Sequence, residues 1–348
     1  MIDIHLLKEI CETPGAPGFE RLIREKVISR LDGIVDSWRI DAMGNVIAIK
    51  KGREDRRVMV AAHMDEISFI VTHIDEDGFI RFHTLGGFDP KTLTAQRVIV
   101  HGRRDVIGVM GCKPVHLMSD EERQKPLKVQ DYFIDLGMPR DEVIKVVGIG
   151  DPVTRERSLI EMGECVNAKS LDNRVSVYIL LQALMELREV EVPYDVYAVF
   201  SVQEEVGLRG AISAARQIDP DFGFGLDVTI AFDIPGSQPH EVVTKLGKGA
   251  AIKIMDGSTI SDSRMVSYLK WVADAGGIPW QPEILPAGGT DTAAVQRYGK
   301  KGAIAGAISI PTRNLHQVIE MAHKEDITAA IQLLKAGLTR LDQYNWSF

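Results

Sequence analysis

The spacing of apolar residues predicts α/β structure at both ends of the chain. Near the start, apolar side chains recur at helical spacing, which predicts two short helices between residues 4 and 31. Strand-like runs follow at 45–50 (NVIAIK) and 57–62 (RVMVAA), and the second is apolar enough to be central in a sheet. After Glu164, long helical patterns alternate with apolar strands such as YDVYAVFSV and GLDVTIAF. This alternation is typical of a sheet covered by helices.

A segment of different character interrupts this pattern. From residue 67 to residue 162 the chain consists of short apolar runs separated by Gly, Asp and Pro, with almost no helical period. We therefore predict a discontinuous α/β domain formed by residues 1–66 and 163–348. Residues 67–162 are predicted to form a small all-β domain inserted into it.

Composition and charge narrow the class of protein. The 348 residues are 45% hydrophobic and 26% charged, with a net charge of -8, which is typical of a globular protein. Basic residues are scattered along the chain, so we expect binding neither to nucleic acid nor to a membrane. Three well-separated cysteines, and an N-terminus without the apolar core of a signal peptide, favour a cytoplasmic location.

Two polar pairs directly follow apolar strands. His63 and Asp65 lie two residues apart at a strand end and therefore point to the same face, as in a metal ligand oriented by a carboxylate. The alternative is a histidine at a strand end with its hydrogen bonds satisfied. Glu204 and Glu205 follow VYAVFSV, and adjacent carboxylates repel each other unless a cation or a proton separates their roles. One could bind a metal while the other acts as a base, and the alternative is a solvated acidic turn.

Three more residues occupy comparable positions. Asp172 stands at the start of a long helical pattern, where a simple helix N-cap is the alternative. Asp227 lies inside an apolar strand, where a charge needs a partner or a metal, and His316 follows the strand AIAGAISI but could equally be a loop histidine. Such positions at the carboxyl ends of strands are where open α/β sheets build their sites. Histidines and carboxylates without cysteine suit Zn(II), Co(II) or Mn(II) and the activation of water for hydrolysis.

Six motifs occur in order along the chain: AHMDEISFIV, SLDNR, QEEVGLRGA, LDVT, GGTDTAAVQ and PTRNLH. Their order and spacing resemble the tetrahedral (TET) or deblocking aminopeptidases, which belong with the dinuclear metal exopeptidases of the glutamyl and leucyl aminopeptidase type. The insert contributes the matching segment GGFDPKTLTAQRV, so the resemblance covers essentially the whole chain.

The resemblance implies a metal pair and its ligands. His63 and Asp227 would bind on separate sides of the pair, and Asp172 would bridge the two ions. Glu205 and His316 would complete the other coordination sphere. The implied cofactor is two divalent ions per subunit, Zn(II) or Co(II).

The resemblance also implies the reaction. Glu204 resembles the general base that takes a proton from the metal-activated water, and Asp65 resembles the carboxylate that orients His63. The expected substrates are peptides with a free N-terminus, from which the enzyme removes N-terminal residues. The side-chain preference is not fixed by the motifs, and the loop 288–292 is where we expect the pocket for that side chain.

The family fold implied by the resemblance is a phosphorylase/hydrolase-like, three-layer α/β catalytic domain. It carries an inserted small β-barrel-like domain used for dimerisation. Family members are usually assembled from dimers into a hollow tetrahedral dodecamer, so we expect a homo-oligomer.

Three rival functions share some of these features. Paired carboxylates also serve glycoside hydrolases, but that chemistry explains neither His63 nor His316. Sugar-binding surfaces also favour exposed aromatic side chains, and only 6% of the residues here are aromatic. A metal-dependent deacylase of N-acyl amino acids would use a similar site and would not require a free amine. A non-catalytic assembly protein would need a broken site, whereas every expected ligand is present in the sequence.

Overall fold

The computed structural model describes residues 2–348. The helices in this range are α1 (Ile4–Glu12), α2 (Arg21–Ile28), α3 (Asp120–Gln124), α4 (Arg140–Val146), α5 (Leu171–Leu187), α6 (Arg209–Ile218), α7 (Ser263–Gly276), α8 (Asp291–Arg297) and α9 (Lys324–Thr339). The strands are β1 (Ser37–Ile40), β2 (Val46–Lys50), β3 (Glu54–His63), β4 (Ser68–Ile74), β5 (Ile80–Leu85), β6 (Arg97–His101), β7 (Asp105–Gly111), β8 (Phe133–Asp135), β9 (Pro152–Arg155), β10 (Ile160–Met162), β11 (Cys165–Ala168), β12 (Tyr194–Ser201), β13 (Phe222–Ile230), β14 (Ala250–Met255), β15 (Trp280–Ile284), β16 (Ile304–Arg313) and β17 (Glu320–His323).

A large mixed sheet forms the centre of the first domain. Its strand order is β1-β2-β12-β3-β13-β16-β17-β11-β10, with β14 and β15 attached beside β16. The four strands β12, β3, β13 and β16 are parallel neighbours. The remaining pairs in this sheet are antiparallel, except that β14 and β15 pair in parallel. Parallel strands are buried on both faces, which explains their almost continuous apolar sequences.

Helices cover both faces of this sheet. Along β3, Val58 and Val60 belong to the larger core with α1, α5, α7 and α9, whereas Met59 and Ala61 pack with α6 and α8 on the opposite face. Helix α5 is buried along nearly its whole length, as expected for a helix that is apolar on all sides. The predicted three-layer α/β architecture is confirmed.

The insert is a closed six-stranded antiparallel barrel. Its strand order is β4-β5-β8-β7-β6-β9, and alternate residues of β7 point into its separate core. Phe69 packs in this core against Phe82 and Phe88, with ring centroids 5.0 and 4.6 Å away. The segment also contains the short helices α3 and α4, which the sequence pattern did not predict. Helix α4 buries Val143 but exposes Ile144, so it has no regular apolar stripe.

The C-terminal edge of the barrel differs from the predicted boundary at residue 162. The last barrel strand ends at Arg155, and β10 instead joins the large sheet by pairing with β11 across a turn at Gly163. All three residues of β10 are exposed, so its apolar pattern carries no information about which sheet it joins.

Within residues 2–348, none of the helices combines the length and the apolar composition that a membrane span requires.

Candidate metal centre

The candidate residues meet at one edge of the large sheet. His63 is the last residue of β3, and Asp227 lies near the end of the neighbouring parallel strand β13. Glu204 and Glu205 follow β12, and His316 follows β16. These four strands are neighbours and parallel, so their carboxyl ends share one edge, which is where open α/β sheets bind ligands.

Asp172 stands between the two histidines. It lies in the first turn of α5, and its Oδ1 is 3.3 Å from Nε2 of His63, while its Oδ2 is 3.2 Å from Nε2 of His316. The peptide bond between Asp172 and Asn173 is cis. Each carboxylate oxygen therefore faces a different histidine, as expected for a group that bridges two ions.

The side chains form two groups that could each hold a cation. His63, Asp172 and Asp227 offer ligand atoms within 4.8 Å of one another, and so do Asp172, Glu205 and His316. Oε1 of Glu205 is buried and has no hydrogen-bond partner, which fits an oxygen that serves as a metal ligand. Nitrogen and carboxylate oxygen donors suit Zn(II) and Co(II). His63 and Asp227, which the resemblance placed on separate sides of the metal pair, lie in the same group.

Glu204 takes a separate position from these two groups. Its Oε2 lies 3.7 Å from Nε2 of His63, and together with His63 and Glu205 it forms a third cluster of possible ligand atoms. Burial raises the pKa of Glu204 well above its usual range, and Asp227 and Glu205 add to the rise although His63 opposes it. A raised carboxyl pKa suits a group that must accept a proton and return it.

The buried carboxylates of this cluster favour the binding of positive charge. Burial, together with Asp172, raises the pKa of Glu205 to about 8 and that of Asp227 to about 8. Burial would also raise the pKa of Asp172, but hydrogen bonds from His316 and His63 lower it overall. Burial would lower the pKa of His316, yet Asp172 and Glu205 raise it to about 10. In the metal-free site, protons thus neutralise the charge of the carboxylates, and divalent cations would replace these protons on binding.

Asp65 contacts both parts of the site. Its backbone oxygen lies 3.2 Å from Nδ1 of His63, and its carboxylate Oδ1 lies 3.5 Å from the same nitrogen. The carboxylate also accepts hydrogen bonds from the backbone N–H groups of Glu204 and Glu205, both at 3.1 Å. Asp65 therefore fixes the turn that carries the glutamate pair, a contact that the sequence analysis did not predict.

Glu320 is a buried part of the site that the sequence analysis missed. Its Oε2 accepts the backbone N–H of Asp172 and its Oε1 accepts that of His316, both at 2.9 Å. Burial and the charge of Asp172 raise its pKa to about 8. The sequence feature that could have identified Glu320 is a carboxylate within the apolar run VIEMA, four residues after His316. Glu320 holds together the backbones of two candidate ligands from distant parts of the chain.

Asp291 is a second residue without an assigned role in the sequence analysis. It begins α8 within the GGTD motif and accepts a hydrogen bond from the hydroxyl of Ser201 at the end of β12. Burial raises its pKa to about 6, while the neighbouring His63 acts in the opposite direction. Asp291 thus adds another buried carboxylate that interacts electrostatically with the candidate ligand His63.

The candidate ligands open into one cavity of about 810 Å³. Its remaining wall includes Phe88 from the barrel and the apolar side chains of Ile230, Leu285 and Leu315. The predicted pocket loop contributes residues 288–290 to this wall. A cavity of this size admits a peptide end beside the candidate ligands.

Fold and site together define a metal-dependent hydrolase, since histidines and carboxylates converge at the carboxyl edge of an α/β sheet. The model of the M42 glutamyl aminopeptidase family matches residues 44–333, and the chain belongs to this family of metal-dependent aminopeptidases. It is therefore a hydrolase of peptide bonds. The matched range includes all seven candidate site residues.

Individual relatives agree with this assignment. The lysyl aminopeptidase of Pyrococcus furiosus is 36% identical over 350 residues, which is 98% of each chain. A TET aminopeptidase from a marine sediment Thaumarchaeota archaeon has a TM-score of 0.94 at 34% identity, covering 97% of this chain and 96% of that chain. The TET1 peptidase of Pyrococcus horikoshii, which can assemble into a tetrahedron or a large octahedral shell, has a TM-score of 0.87 at 31% identity, with coverages of 97% and 99%. The resemblance to TET aminopeptidases is confirmed.

Proposed function

We propose that the protein is a dinuclear metal aminopeptidase that removes N-terminal residues from peptides with a free N-terminus. The observation that carries the proposal is the position of Asp172, whose two oxygens face two different histidines. One ion would be held by His63, Asp172 and Asp227. The other would be held by Asp172, Glu205 and His316.

Glu204 is the proposed general base. When bound, a pair of Zn(II) or Co(II) ions would supply a site for the free amine, polarise the scissile carbonyl and lower the pKa of water. Glu204 would take the proton from the attacking water at its carboxylate and later give it to the leaving amine. Hydrogen bonds from the backbone of the glutamate pair to Asp65 keep Glu204 at the wall of the cavity.

Hydrolysis of amino-acid anilides tests this function. We expect the purified protein to cleave anilides with a free amine and to leave their N-acetylated counterparts intact. Activity should disappear with a chelator and return with added Zn(II) or Co(II), because the proposed chemistry depends on both ions. The measurement is the rate of anilide release for each pair of substrates, with matched samples before and after metal removal.

The same panel separates the alternatives. Cleavage of the acetylated set instead of the free set would assign the site to a deacylase. Full activity in the presence of a chelator that removes all bound metal would contradict the metal-dependent mechanism. The rates across free anilides would also rank the preferred N-terminal residue.

Metal affinity is expected to rise steeply with pH. In the metal-free protein, Glu205 and Asp227 have pKa values of about 8 and His316 has a pKa of about 10, so all three hold protons near neutrality. Each proton that must leave upon metal binding makes the association constant rise about tenfold per pH unit below that pKa. We therefore expect at least about a tenfold gain in Co(II) affinity between pH 6 and pH 7.

Calorimetric titration of the metal-free protein with Co(II) measures this effect. Repeating the titration in two buffers with different ionisation enthalpies counts the protons released. A constant affinity across this pH range, with no proton release, would show that the groups are already deprotonated before metal binds.

We also propose that the protein forms homo-oligomers in which dimers assemble into a tetrahedral dodecamer. The family membership and the assembly of the Pyrococcus horikoshii relative support this proposal. The barrel offers apolar side chains for such contacts, since Ile107 and Ile149 are 62% and 72% exposed.

A further inference from the structure

Side chains from distant parts of the chain hold the turn that carries the glutamate pair. Four consecutive backbone N–H groups, those of residues 202–205, each donate to a side-chain oxygen. The acceptors are Asn45 for residue 202, Glu20 for residue 203 and Asp65 for residues 204 and 205. Buried backbone donors need such partners, so these three side chains determine the path of the turn.

Glu20 holds the turn from the N-terminal part of the chain. It immediately precedes α2 and is only 3% exposed. Its Oε1 accepts the backbone N–H of Gln203 at 3.1 Å and the backbone N–H of Gly18 at 2.8 Å. The hydrogen bond from Gly18 orients the carboxylate, so that Oε1 is a fixed acceptor for Gln203.

Gln203 has an unusual backbone conformation that this hydrogen bond supports. Its φ angle is +55°, in the left-handed region that residues other than glycine rarely adopt. Glu20 accepts the N–H on one side of the Gln203 Cα, and Asp65 accepts the N–H of Glu204 on the other side. Both peptide units that flank Gln203 are therefore held, and they set the direction in which the chain enters Glu204.

Glu20 acts from outside the cavity that contains the candidate metal ligands. It lines a separate cavity of about 760 Å³, between the N-terminal segment and the barrel, and none of the candidate ligands lines that cavity. Burial and the charge of Asp65 raise the pKa of Glu20 to about 7, and in either protonation state Oε1 can accept hydrogen bonds. The contribution of Glu20 to the site is therefore its hydrogen bond to Gln203.

We propose that Glu20 is a positioning residue for Glu204. The inference rests on the proposed function, in which Glu204 is the general base. By holding Gln203 in its left-handed conformation, Glu20 keeps the Glu204 carboxylate in the orientation from which it takes a proton. The reach of the Glu20 side chain is what this role requires, because an acceptor oxygen must meet the Gln203 N–H.

Variants that separate the reach of Glu20 from its charge test the proposal. Glu20→Gln keeps the acceptor oxygen without the charge, so kcat for free-amine anilides should stay within about threefold of the wild type. Glu20→Asp keeps the charge but is one methylene shorter, so kcat should fall about ten- to a hundredfold as Glu204 is misplaced. Asp is a favoured residue directly before a helix, so α2 should remain intact. KM and the content of two ions per chain should be unchanged in both variants.

Two further variants check that the effect passes through Glu204. Glu25→Asp makes the same change at an exposed position of α2 and should leave kcat unchanged. When Glu204 is already replaced by Gln, adding Glu20→Asp should cause no further loss of the residual rate, because the two residues act as a unit. The measurement is the initial rate of anilide release by the metal-loaded proteins.

Three results would overturn the inference. Full activity of Glu20→Asp, together with an impaired Glu20→Gln, would mean that charge and not reach supports activity. Loss of a metal ion from Glu20→Asp would assign Glu20 to the support of the ligand Glu205. An equal further loss in the Glu204→Gln background would show that Glu20 acts independently of Glu204. A wild-type protein that cleaves no free-amine anilide would instead contradict the proposed function itself.

Discussion

Replacing Glu204 by Gln is expected to lower kcat by about two to four orders of magnitude. The amide has nearly the same shape as the carboxylate but cannot take a proton from water. Because the two proposed metal groups are complete without Glu204, the variant should still bind two ions per chain. Initial rates of free-amine anilide hydrolysis, together with the metal content of the same samples, measure both expectations.

Two controls make the result specific for Glu204. Glu186→Gln makes the same chemical change at an exposed position and should leave both rate and metal content unchanged. Glu205→Gln should lose metal as well as activity, since Glu205 belongs to a proposed ligand group. Activity of Glu204→Gln near the wild-type level would contradict the role of general base. Loss of an ion would instead make Glu204 a ligand, as its contact with His63 allows.

The outline of the fold could be predicted from sequence because its signals are local. Strands β3, β12 and β13 are apolar on both faces since helices cover both sides of the sheet, so each appears as a continuous apolar run. The barrel strands alternate instead, because only one side of each packs in the core. The contrast between these patterns located the insert. It could not place β10, an exposed edge strand whose partner is decided by a turn at Gly163.

The candidate site was predictable to the extent that its residues end strands. His63 and Glu204 stand out because they follow apolar runs, and Asp227 because it interrupts one. Spacing along the chain cannot show that Asp172 faces two histidines, since the three residues are distant in sequence. The family resemblance supplied that idea, although it put His63 and Asp227 on separate sides of the metal pair, whereas their possible ligand atoms lie within one candidate group in the structure.

Other contacts could not be predicted because they use backbone groups or distant elements. Glu320 holds the backbone of Asp172 across 148 residues of sequence, and Asp65 holds the backbone of the glutamate pair. Backbone donors carry no residue-type signal, so such contacts leave no motif. Arg155 is similar, because its contact with the His316 backbone becomes visible only when the barrel is docked on the catalytic domain.

Replacing Asp172 by Asn is expected to abolish binding of both metal ions and, with it, all peptidase activity. Asn keeps the shape of the side chain but leaves one neutral oxygen in place of two charged ones, so it cannot bridge. Asp172 is the residue shared by both complete ligand groups. Metal content after dialysis should fall from two ions per chain to none, and the Tm rise caused by added Zn(II) should disappear.

Variants that each remove a ligand from only one group show whether the loss of both ions results from the shared position of Asp172. Asp227→Asn removes a ligand from one group and His316→Gln removes one from the other, so each should retain one ion per chain. Circular dichroism of each metal-free variant checks that the fold is intact. A result in which Asp172→Asn retained one ion while Asp227→Asn lost both would place the bridge at Asp227. The 3.3 and 3.2 Å contacts of Asp172 with the two histidines would then be hydrogen bonds of the metal-free state alone.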